Sequence, residues 1–145
     1  MSCYPFPKKY RISSNYADHL IPNPSYPGRE MEPGNDYETP FKTPIYAIFP
    51  ETIVDRWVNT YGTVYLVQIN KGTNHRLDFI HAYVNKAPGY VAKEGEIIGY
   101  TDGLSDMPAR SSGPHVLVTE RLDWINNPSA YIDCQPFFIS LSFKN

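Results

Sequence analysis

A chain of 145 residues is long enough for one domain that buries its own core without disulfide or metal staples. Its net charge of -2, with no basic block, argues against nucleic acid as a partner. No apolar run approaches the roughly 20 residues of a membrane span, and Met1-Ser2-Cys3-Tyr4-Pro5 lacks the basic start and apolar stretch of a secretory signal, so export by that route is not expected.

Fourteen prolines, nine glycines and twelve tyrosines favour short strands and turns over long helices. Residues 1–9 read as an irregular lead-in, and Tyr10–Tyr16 as a first strand. From Ile21 to Pro40 prolines punctuate the chain too densely for a helix, which leaves a long irregular N-terminal loop. Such a segment in a small domain is usually functional or tied down by the fold. Strand patterns follow at Pro44–Phe49, Thr52–Val58, Thr63–Ile69 and Arg76–Val84, with Lys71-Gly72-Thr73-Asn74 turning the last two into a hairpin. Tyr90-Val91 and Glu96–Tyr100 are shorter strands, and residues 101–112 form a polar loop.

A Gly-Pro turn then delivers His115 to an apolar alternation, Val116 to Glu120, read as a short buried strand. Residues two apart on a strand face one way, so His115 and Leu117 look into the same space. Leu122–Pro128 is a loop or a single helical turn. The tail alternates from Ile139 through Leu141 to Phe143 and reads as a C-terminal strand within 134–145. It either pairs with a neighbouring subunit's edge strand or covers this domain's own core. One all-β domain over 1–145, with its core over about residues 10–133, accounts for the pattern.

Four histidines and two cysteines limit the chemistry. His19 lies in a polar early loop and His75 in a turn, positions where histidine is ordinarily structural or solvent-facing. His81 ends an apolar strand and His115 opens one. Two imidazoles at strand edges can share a cleft and act as acid, base or ligand. Glu32 and Asp36, four apart across Pro33-Gly34-Asn35, either converge on a cation or form a polar surface turn. Cys3 and Cys134 have neither the spacing of a metal site nor a neighbouring histidine. They read as unpaired thiols, and their pairing is expected only in an oxidising compartment.

In this order, the segments resemble the lysostaphin-type family of zinc metallopeptidases, which cut peptide cross-bridges in bacterial peptidoglycan. Arg11-Ile12-Ser13-Ser14 echoes the family's opening strand. Glu32-Pro33-Gly34-Asn35-Asp36 stands at its His-x-Gly-x-Asp motif, and Thr43-Pro44-Ile45-Tyr46-Ala47 at the strand that follows. Phe79-Ile80-His81-Ala82 matches Tyr-x-His-Leu, the stretch from Val91 to Gly99 matches Val-x-x-Gly-x-x-Ile-Gly, and Gly113–Glu120 matches Gly-Pro-His-Leu-His-Phe-Glu. Asn127–Tyr131 resembles the family's ending.

The resemblance implies a compact antiparallel fold and places Glu32, Asp36 and Leu117 at the three zinc-ligand positions. It places His81 and His115 at the two histidines that serve the bound water. Two of the three ligand positions depart from the family, and leucine offers no donor atom, so no cofactor is expected. Zinc belongs only to the alternative, an active endopeptidase with a divergent metal site, completed for instance by His19. The leading expectation is an inactive peptidase-like domain that recognises cell wall or builds an assembly. Its expected partners are peptidoglycan or other virion proteins at a phage tail tip, with Tyr37, Tyr46, Tyr83 and Tyr100 as stacking surfaces.

Overall fold

A computed structural model describes residues 2–20, 33–102 and 114–144. In chain order the elements are β1 (Ile12–Ser14), a 3-10 turn (Asp18–Leu20), β2 (Asn35–Tyr37), β3 (Pro44–Tyr46), β4 (Glu51–Val58) and β5 (Val64–Asn70). There follow β6 (Arg76–Ile80), β7 (Ala82–Val84), β8 (Tyr90–Lys93), β9 (Ile97–Thr101), β10 (Val116–Arg121), β11 (Tyr131–Ile132) and α1 (Gln135–Ile139). The large sheet runs β1-β2-β10-β6-β5-β4-β8, with β11 also on β10, and a smaller sheet runs β3-β9-β7. All of these strand pairs are antiparallel. The expected all-β class holds, and the expected hairpin is β5–β6. Among the described residues no helix is long and apolar enough to cross a membrane.

β5 is buried along most of its length because both faces of the large sheet carry apolar side chains. Leu66 joins the main core with Val54, Leu77, Phe79, Val116 and Val118, while Tyr65, Val67 and Ile80 form a second cluster. That is the near-continuous apolar pattern of a strand covered on two sides rather than one. The smaller sheet closes tightly on the main core. A Cβ at Gly99 would lie 2.4 Å from Leu66 Cδ1 and 2.2 Å from the Tyr83 carbonyl oxygen, so only glycine allows this approach. Gln68, fully buried on β5, accepts from the Ile48 amide at 2.8 Å and donates to the Tyr46 carbonyl at 3.1 Å.

Four sequence expectations change. The lead-in is core: Cys3, Tyr4 and Phe6 are buried, and the Phe6 ring meets Tyr10, Tyr37 and Phe79. A strand, β2, emerges where a polar turn was expected. The tail is not a strand from 134 to 145 but the short helix α1, followed by a single parallel bridge between Cys3 and Ser142. Its buried positions are Cys134, Phe138 and, partly, Leu141, a helical spacing that the alternation of Ile139, Leu141 and Phe143 concealed. Pro136 suits the first turn, where no intrahelical donor is needed. The tail thus covers its own core, with Ile139 left 78% exposed. Fourth, the 76–84 run breaks at His81, whose φ of 73° is the left-handed region that β-strands exclude.

Cys3 and Cys134 are both free and buried. Burial pushes the Cys134 thiol up to about 12, far from the thiolate that reactive cysteines need.

Candidate functional site

The face of the large sheet turned away from the main core carries the candidate site. Pairing places Asp36 opposite Leu117, Leu117 opposite Ile80, Ile80 opposite Tyr65 and Tyr65 opposite Trp57. These five side chains form one row across β2, β10, β6, β5 and β4. Gly34 brings β2 close enough to start it. A Cβ there would lie 2.2 Å from the Val118 carbonyl oxygen. Leu117 packs onto the Tyr65, Val67 and Ile80 cluster, and Trp57, half exposed, meets Tyr65 edge-on at 4.6 Å.

Three imidazoles gather at the Asp36 end. His115, one residue before β10, holds Nε2 3.9 Å from Asp36 Oδ1. His19 holds Nε2 3.3 Å from Asp36 Oδ2. His81 lies beside His115 with ring centroids 5.2 Å apart at 74°. His81 is presented by the left-handed corner where the chain leaves the large sheet for the small one, its amide bonded to the Val64 carbonyl and its carbonyl to the Asp102 amide. Holding a non-glycine residue there costs about 1–2 kcal/mol, a strain typical of functional positions.

His19 is positioned by a tightly bonded turn. The Asn15 amide donates to Asp18 Oδ2, the Asp18 amide donates to Asn15 Oδ1, and His19 Nδ1 donates to the Asn15 carbonyl at 2.9 Å. The Tyr16 amide donates to the buried Asn35 side chain, and its hydroxyl donates to the Tyr131 carbonyl, which fasten the turn to β2 and β11. The hydrogen bond to Asp36 raises the His19 pKa above the ordinary imidazole value, against the opposing effect of burial.

The structure therefore brings together Asp36, His81, His115 and Leu117 as the sequence expected. It also brings in His19, which the sequence offered only for completing a divergent metal site. Nothing local in the sequence marks that residue, because its partner is reached only through the pairing of β1 with β2. Glu32 lies outside the described residues. Tyr37 is a correction: it is buried among Phe6, Phe138 and Cys134, with no face free for stacking. Tyr46, Tyr83 and Tyr100 sit half-buried on the outer face of the smaller sheet, away from the Asp36 row. His75 takes the structural one of the two roles expected of it. Its ring packs against Phe49 and Phe137, and Nε2 meets Glu120 Oε2 at 2.5 Å.

Beside the Asp36 row runs a second register row, Thr119 opposite Asp78 and Asp78 opposite Val67. Asp78 accepts from Arg76 Nε at 2.6 Å, from Arg76 Nη2 at 3.0 Å and from Arg121 Nη2 at 3.4 Å. Trp124 covers the Arg76 guanidinium, Tyr131 covers that of Arg121, and Arg121 also donates to the Pro128 carbonyl.

The donors at the family's zinc positions do not fit zinc. Leu117 has no donor atom and sits in an apolar cluster, leaving Asp36 as the described ligand of that set. Among the described residues, no three His, Cys, Asp or Glu side chains stand ready as a metal-holding group.

No family model matches the sequence, and no curated protein matches it. Solved structures do. Lysostaphin in solution superposes with a TM-score of 0.66 at 24% identity, over 94% of this chain and 53% of that one, so the chain spans about half of that protein's length. The catalytic domain of the antimicrobial peptidase lysostaphin from Staphylococcus simulans gives 0.61 at 23% identity, over 97% of this chain and 92% of that one. A catalytic-domain mutant of the prophage-encoded M23 protein EnpA from Enterococcus faecalis gives 0.56 at 21% identity, over 90% and 93%. Two antiparallel sheets with an aspartate and histidines at the end of one sheet face are thus set in the fold of lysostaphin and the M23 peptidases.

Proposed function

We propose that this domain recognises bacterial cell-wall peptidoglycan along the Asp36–Trp57 row, as a virion component at a phage tail tip, without hydrolysis through the family's zinc ligands. The observation that carries this reading is Leu117. The residue that stands where the family has its third ligand closes an apolar strip with Ile80 and Tyr65, converting a metal position into part of a binding floor. Four inter-strand steps make the row about 19 Å long, the span of roughly six extended peptide residues. That length suits a peptide stem or cross-bridge laid across the strands, with Trp57 as an exposed aromatic anchor at one end. The fold shared with lysostaphin supports a cell-wall target, and the prophage-encoded EnpA supports the phage setting.

The test is sedimentation with purified sacculi, followed by analysis of the supernatant for released muropeptides. The proposal expects the protein in the pellet, reduced pelleting for Trp57→Ala, and no release. Protein remaining in the supernatant overturns it. Release that Asp36→Ala abolishes establishes instead the second reading, an active endopeptidase, which His19 against Asp36 favours. Recovery of this chain among the proteins of purified tails tests the virion assignment, and its absence there removes it.

A further inference from the structure

We propose that Asp55 and Trp57 hold the side-chain ammonium group of a diamino-acid residue in the peptide laid along the Asp36–Trp57 row. The inference rests on the peptide-binding reading above and names the group recognised at the aromatic end of that row. It begins with the carboxylates on this sheet face, which are not alike. Asp36 faces His19 and His115, Asp78 is held by Arg76 and Arg121, and Glu51 on β4 meets Lys71 at 3.9 Å. Asp55 differs. It is exposed on β4, and among the described residues no cationic side chain pairs with it. The guanidinium of Arg56 is carried on the opposite face, because neighbours on a strand alternate. Asp55 Oδ1 accepts from the Arg56 amide at 2.8 Å, which orients the carboxylate and leaves Oδ2 for a ligand.

Trp57 stands two residues along the same strand, about 6.8 Å away on the same face. Its indole is 49% exposed and braced edge-on by Tyr65 at 4.6 Å. A nitrogen about 2.8 Å from Asp55 Oδ2 also falls within the reach of about 6 Å over which an aromatic face attracts a cation. The carboxylate alone would accept any cation, and the indole favours an organic ammonium over a hydrated metal ion. The floor between is apolar. Asp55 is opposite Val67, in the register row next to Tyr65 and Trp57. A side chain leaving the peptide above Tyr65 therefore crosses Val67 and meets Asp55 one row away. That path suits a methylene stem that lies on apolar surface and carries its charge to the wet end.

The probe is the peptide acetyl-Ala-Lys-Ala-amide, compared with the same peptide whose lysine amine is acetylated. Each is titrated at low salt into the isotope-labelled full chain and followed by NMR at the Trp57 indole N–H and the Asp55 and Trp57 amides. Trp57→Phe assigns the indole signal. The proposal expects saturable shifts at these groups and about tenfold tighter binding of the free amine. Asp55→Asn, which keeps an oxygen for the Arg56 amide, should remove that preference. Glu51→Gln makes the same change of charge on the same strand face and should leave it intact. Thermal unfolding shows that each variant is folded. Equal affinity for the two peptides, no shift at Trp57, or a preference that survives Asp55→Asn overturns the proposal. Sacculus pelleting without an amine preference overturns this inference alone, and an amine preference without pelleting overturns only the peptidoglycan reading.

Discussion

Asp36 and Asp78 lie in neighbouring register rows on the same sheet face, yet their surroundings differ in kind. Asp78 is 5% exposed at its side chain and held by the Arg76 fork and one nitrogen of Arg121, guanidinium groups that are themselves clamped by aromatic rings and a carbonyl. Nothing further fits there, and the role is to fasten β6, β10 and the loop after β10. Asp36 is 18% exposed and faces two imidazoles at 3.3 and 3.9 Å, both longer than a strong charge-assisted hydrogen bond. One carboxylate is saturated by its own chain. The other has unused capacity, and this difference separates a structural charge from a ligand-ready one.

The contrast can be broken first at its stronger end. Asp78→Ala leaves two buried guanidinium groups without their counter-charge and is expected to cost about 3–5 kcal/mol in urea unfolding. A loss below about 1 kcal/mol would show that the two arginines are not holding the fold through Asp78. Next, His81→Gly should raise stability by about 1 kcal/mol, because glycine accepts the left-handed corner at the price of some chain entropy. Unchanged stability in the same assay would mean the corner is unstrained. Smallest, Asp36→Ala should change unfolding stability by no more than about 0.5 kcal/mol, since a partly exposed pair contributes little. A large loss would place Asp36 with Asp78 as a structural charge.

Much of the fold was readable because its signals are local. The β5–β6 hairpin follows from alternation on either side of Lys71-Gly72, where Gly72 does adopt a positive φ. Asp36, His81 and His115 were readable from ordered motifs, with Leu117 marking the departure. β2 was hidden because its first residue, Asn35, is polar yet fully buried, its amide donating to Asp133 and its oxygen accepting from Tyr16. α1 was hidden because two overlapping periodicities run through the tail, and packing of Phe138 selects the helical one. The contact of His19 with Asp36 was hidden for a different reason. Its role depends on a contact between chain segments far apart in sequence, which no spacing rule reports.

The buried Gln68 carries a consequence for how the molecule comes apart. Its amide serves as a rung between the sheets, joining β5 of the larger one to the segment that runs out of β3 of the smaller one. Pulling the sheets apart would strand two backbone groups and a primary amide in an apolar interior, each a desolvation penalty. Partial opening along that seam is therefore disfavoured, and the two sheets melt as one cooperative unit.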